Sequence, residues 1–130
     1  MKIPIFTLCD YAQNNQGKLT IIGTFNKVYS KVFPFVYQAS FCIVAKISSN
    51  KSISTTFEVS SIAPDGNPFI APFKGNLQIN VPADSSEEQS ADFIININTP
   101  EFKLAGTYTF ILRVGEETIS QELYLETPKQ

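Results

Sequence analysis

The chain has no histidine and no tryptophan, one methionine and two cysteines. Each shortage removes a class of chemistry. Without histidine there is no imidazole base or imidazole metal ligand, and no His-assisted Ser or Cys nucleophile can form. Without tryptophan, the largest aromatic platform for stacking a ligand is missing, which counts against a sugar-binding face. Cys9 and Cys42 make no C-x-x-C pair, and in a reducing compartment they read as small buried hydrophobes. Charge is scarce too, at 17% Asp, Glu, Lys and Arg with a net charge of −2. No basic field is available to neutralise phosphates, so nucleic acid is not an expected partner. No apolar run approaches the roughly 20 residues a membrane-crossing helix needs, so no membrane partner is expected either. Phosphate-cradling Gly-rich loops and the G-x-S-x-G nucleophile turn are absent, and no cofactor is expected. The opening MKIPIFTLCD has no small-residue cleavage site after it, and Phe6 and Leu8 do not suit lipid attachment at Cys9. The reading is a cytoplasmic protein.

What remains is a chain of β-forming residues. Its 130 residues suit one domain spanning 1–130, a size at which roughly two-thirds of the unfolded surface can be buried. Hydrophobic residues make up 43%, with eleven Phe and five Tyr, so rings and β-branched side chains should fill the core. IPIFTLCDYAQ and KLTIIGTF read as strands of a hairpin around NNQG. A three-residue loop, 15–17, would put Gly17 at the position wanting positive φ. Tyr11 would then face Ile21, and Cys9 would face Gly23. Cys9 and Asp10 point to opposite sides of a strand, so they form no catalytic dyad. FCIVAKI, SISTTFEVSSI, FKGNLQINV and DFIININ follow as strands, with PDG supplying a tight turn at 64–66. GTYTFILRVG and EETISQELYLE alternate strictly and form a second hairpin. No segment shows capped helical periodicity. About eight short strands predict an all-β, single-domain antiparallel sandwich of the immunoglobulin-like kind.

Two stretches resemble known patterns. LAGTYTF looks like the tyrosine-corner region of immunoglobulin-like domains, with Gly106 two residues before Tyr108. Phe110 stands where those domains carry a cysteine. The resemblance implies a sandwich in which Tyr108 is a packed ring bonded to the backbone. CDYAQ, GKLTIIGTF and FPFVY together resemble the opening of a bacterial family of small proteins classed as a domain of unknown function. The matching positions are Asp10, Tyr11, Ala12, Gly17, Lys18, Leu19, Gly23, Phe25, Phe33 and Pro34. That resemblance implies a single β domain and carries no activity.

Few residues offer chemistry. Asp10, Glu58, Asp65 and Asp92 could form the carboxylate pair of a hydrolase, but the plainer reading is solvated charge. Asp84, Glu87 and Glu88 lack the spacing of a Ca²⁺ loop and read as a solvated connection. Asp10 interrupts an apolar strand. It is a candidate polar contact, against the plainer reading of an edge charge or a partner for Lys18. Three Pro-Phe pairs, at 34–35, 68–69 and 72–73, keep large rings outside regular ladders, either plugging the core or forming a contact surface. The candidate interaction surface is Val32, Phe33, Phe35, Val36 and Tyr37, rimmed by Lys27, Lys31 and Lys46, and Phe35→Ser is expected to leave the fold intact. The functional expectation is a non-catalytic protein-interaction or assembly module, with an unidentified protein or a second copy as partner. A small-molecule or carbohydrate binder and, further off, a hydrolase are the alternatives.

Overall fold

The computed structural model describes residues 1–85 and 87–128. Among these residues there are eleven strands and no helix. One sheet has four strands in the order β2-β1-β5-β8, where β1 is Lys2–Asn15, β2 Lys18–Thr24, β5 Ser40–Ser49 and β8 Gln89–Asn98. The second has five in the order β3-β11-β10-β6-β7, where β3 is Lys27–Tyr29, β6 Ile53–Ile62, β7 Phe73–Ile79, β10 Gly106–Val114 and β11 Glu117–Glu126. A small ribbon pairs β4 (Phe35–Val36) with β9 (Glu101–Phe102). Every pairing is antiparallel except that of β3 with β11. The eight long strands coincide with the eight runs read from the sequence. The three short ones are pieces that Pro34, Pro100 and the chain's change of direction prevent from growing.

The two sheets face each other across one core, as in a sandwich. The period-2 pattern of each strand decides which residues enter it. Phe6 and Leu8, then Phe41, Ile43, Ala45 and Ile47, come from the four-stranded sheet, and Phe110, Leu112, Val114, Leu123 and Leu125 come from the other. Each large side chain so buried stabilises the fold by about 1.5–3 kcal/mol. At one end the core is aromatic. The Tyr108 ring, 1% exposed, meets Phe69 and Phe102 at centroid distances of 4.8 and 5.2 Å. Its hydroxyl donates to the Leu104 carbonyl at 2.7 Å, the backbone bond expected of it. Gly106, at φ +129°, starts β10 beside Pro64.

The first hairpin corrects the expected register. Asn15 pairs with Lys18, Tyr11 with Ile22 and Cys9 with Thr24, one residue away from the expected match. The turn has two residues rather than three. Gln16 (φ 54°) and Gly17 (φ 84°) both take positive φ, which is the two-residue hairpin turn matched to strand twist. The Asn14 side-chain oxygen accepts the Gly17 N–H at 3.0 Å and steadies it. Nothing in NNQG announced that Gln16 would join Gly17 in the left-handed region. The slip leaves Tyr11 and Ile22 together and exposed. Ala12, Leu19 and Ile21 instead pack with the buried residues Cys9, Cys42 and Val44 in a second apolar cluster, apart from the main core. Cys9 is thus buried while its neighbour Asp10 is exposed, as their opposite directions required.

Candidate interaction surface

The Val32–Tyr37 segment divides by alternation. Phe33, Phe35 and Tyr37 are half-buried and pack against the core, while Val32 and Val36 face solvent. The Phe35 ring stacks on Phe102 and meets Tyr37 edge-on, both at 6.4 Å, and Tyr37 meets Phe41 at 6.2 Å. The three rings plug one end of the sandwich. Phe35→Ser, expected from the sequence to leave the fold intact, therefore takes core neighbours from the ring and carries a stability cost. Asp10 lies near enough to Tyr37 that its charge adds to burial in raising the phenol pKa. The two sequence candidates thus meet at the same end. Among the described residues Asp10 forms no ion pair, with Lys18 or otherwise. Lys46 is no rim for this segment, since it is drawn to Asp92 at 2.8 Å.

The remaining carboxylates are scattered. Glu58 faces Lys74 at 3.8 Å on the five-stranded sheet. Asp65 accepts the Asn67 N–H at 3.1 Å within its turn, and these Asn67 bonds lower its pKa. The Asp92 side chain is buried beside Lys46 on the other sheet, though its Oδ1 meets the ammonium at an angle outside that of a hydrogen bond. Glu88 pairs with Lys2 at 2.7 Å. Asp84 and Glu87 are exposed, and position 86, which lies between them, is outside the described residues. The two thiols are free and stand opposite each other in the β1–β5 register. Burial, helped by the neighbouring Cys42, pushes the Cys9 thiol up to about 11, which is the state of an inert thiol rather than a nucleophile.

The surface also holds a feature that sequence reading missed. Val59 and Phe73 are cross-strand partners and so share the inner face of their sheet. Val59 is 3% exposed, but Phe73 is 50% exposed. Further along β7, Leu77 and Ile79 are buried again. The sandwich therefore closes toward the end of β7 and gapes at its beginning. The gap is a cleft of about 320 Å³ between β7 and β8, lined by Ile43, Val59, Ile70, Phe73, Ile95 and Ile97, with Asn96 and Asn98 also on its wall. A larger depression of about 560 Å³ around Thr56, Lys74, Asn76 and Arg113 is shallow and polar, a solvated sheet face. The one sequence signal for the apolar gap was the Pro-Phe pair at 72–73, but the segment chosen instead was the one around Pro34.

The chain is thus all-β, with two facing sheets, an apolar opening between β7 and β8, and dispersed carboxylates. Residues 4–125 match the model of a family of unknown function, DUF6941. The chain belongs to that family, which bears out the sequence resemblance to a domain of unknown function. A search of curated proteins finds no match to it.

Proposed function

We propose that this chain is a non-catalytic protein-interaction module of immunoglobulin-like topology, working in a reducing compartment. The observation that carries the reading is the gap beside Phe73, an inward-facing ring left 50% exposed at the mouth of an apolar cleft whose deeper walls, Ile43, Val59 and Ile95, are buried. Apolar surface held open in this way marks a place where another molecule completes the burial. The topology is supported by the β10–β11 hairpin extended beyond β10 by β6 and then β7, by β3 lying parallel to β11, and by the Tyr108 hydroxyl bonded to the backbone four residues upstream. The compartment is supported by the use made of Cys9 and Cys42, two buried side chains packed in an apolar cluster as small hydrophobes.

The test is affinity capture from the native cell under reducing conditions, with partners identified by mass spectrometry. A protein captured stoichiometrically, and lost when the gap is charged, supports the reading. Hydrolytic turnover abolished by removing any one of Asp10, Glu58, Asp65 or Asp92 would replace it with the enzyme alternative. Tight capture of a small molecule in the gap would replace it with the ligand-binding one.

A further inference from the structure

The two sheets differ by one strand, four against five. The edge strands at the gap are β7 and β8, each paired on one side only among the described residues. A strand edge exposes unpaired N–H and C=O groups, and folded proteins guard such edges with lysine, proline, bulges or very short strands. Three of the four edges here are guarded. Strand β2 carries Lys18 and a twist at Gly23, φ +73°. Strand β3 has three residues, beginning with Lys27. Strand β7 carries Lys74 and Gly75. Strand β8 is ten residues long and, over Phe93–Asn98, carries no charge, proline or glycine. Its only charge, Asp92, is neutralised sideways by Lys46. The unguarded edge is the one that borders the apolar gap.

Resting on the interaction-module reading, we propose that Phe93–Asn98 of β8 accepts an extended segment of a partner polypeptide as a fifth strand. The unpaired backbone groups of β8 hold the segment, and every second side chain turns into the gap against Phe73, Ile70 and Ile97. Among the described residues no charged side chain lines the gap, so the inserted side chains are apolar. The opposite side chains run beside Asn96 and Asn98 and are polar. A second copy joining through its own β8 does not fit. That strand is already roofed by the five-stranded sheet of its own chain, as the stacking of Phe93 on Phe57 of β6 at 4.6 Å shows. The lip formed by Ile70, Ala71 and Phe73 occupies the layer into which such a roof would have to slide. Only a lone strand enters.

The probe is a synthetic ten-residue peptide alternating isoleucine with threonine or lysine, compared with a shuffled peptide of the same composition. Binding is followed by NMR titration, and amide hydrogen exchange reports where the peptide lies. The alternating peptide should bind saturably, slow exchange along Phe93–Asn98 by at least about tenfold, and outcompete the shuffled one by about tenfold or more. Phe73→Lys should weaken binding by about tenfold with the melting curve preserved. Ala71→Lys, exposed on the lip, serves if the first variant unfolds. No saturation at millimolar peptide, protection away from β8, or indifference to both variants overturns strand addition. A natural partner captured equally by wild type and by these variants would leave the interaction-module reading standing while this inference falls. Self-association abolished by Ala71→Lys would identify a second copy as the occupant, against the proposal.

Discussion

Replacing Phe35 and Val36 one at a time by serine separates core from surface within two adjacent residues. Phe35 is half-buried, stacked on Phe102 and edge-on to Tyr37, while Val36 is 39% exposed. A fully buried Phe cut to Ala costs about 3–5 kcal/mol, so a half-buried ring cut to Ser should cost about 2 kcal/mol. An unfolding entropy of about 2.1 cal/mol/K per residue, applied to 130 residues, gives about 0.27 kcal/mol/K. Phe35→Ser should therefore lower Tm by about 7 °C, whereas Val36→Ser should stay within about 2 °C. Thermal denaturation followed by circular dichroism measures both. If the two variants melt together, Phe35 does not plug the sandwich end, and the whole segment returns to being a free surface. If Val36→Ser keeps its Tm but loses a captured partner, the exposed side of the segment belongs to an interface as well.

Three further outcomes follow from single atoms. Gly106→Ala forces a side chain onto φ +129° and brings its Cβ to 2.9 Å from Pro64, at a cost of about 1–3 kcal/mol; a chemical denaturation midpoint equal to wild type would show that β10 starts differently. Tyr108→Phe removes the donor to the Leu104 carbonyl at 2.7 Å and the acceptor of its N–H at 3.3 Å, a loss of about 1–3 kcal/mol, and exchange at Leu104 should quicken. Cys9 and Cys42 should react slowly with Ellman's reagent until the protein unfolds. The Cys9 pKa is raised by burial from 9.0 to about 11, so the folded state holds its proton where the unfolded chain releases it. The stabilising contribution is complete below pH 9 and is lost as pH rises toward 11. Cys9→Ala should flatten that decline, and an unchanged slope would assign it to other groups.

How far the sequence could be read depended on whether the information was local. The strict alternation in GTYTFILRVG puts Tyr108, Phe110, Leu112 and Val114 on one face, and all four are buried. In VFPFVY alternation also holds, yet the run is apolar on both sides, so period alone could not say which side met the core. The hairpin register failed because it turned on Gln16, a residue whose type does not announce the positive φ it takes here. The gap was invisible for a different reason. DFIININ looks like a central strand, and only the pairing order, with β8 bonded to β5 alone, turns it into an edge.

The residues on which the family resemblance rests turn out to be those that shape the fold. Gly17 makes the hairpin turn at φ 84°. Gly23 takes φ +73° against Asp10, where any Cβ would run into the Asp10 carboxylate. The Phe25 N–H donates to the Leu8 carbonyl at 3.2 Å, and its ring meets Phe41 edge-on at 5.6 Å, carrying the chain from one sheet toward the other. Leu19 and Ala12 pack on the second apolar cluster, and Phe33 on the main core. An opening made of such residues is a folding signature, and Asp10 belongs to it as the carboxylate that Gly23 makes room for. Family membership therefore speaks to architecture, and the recognition proposed above falls to positions outside the motif. Phe73 and the Phe93–Asn98 edge are such positions: none of the motif residues lines the gap. Substitutions at the motif should therefore show up in stability, and substitutions at the gap in what the protein binds.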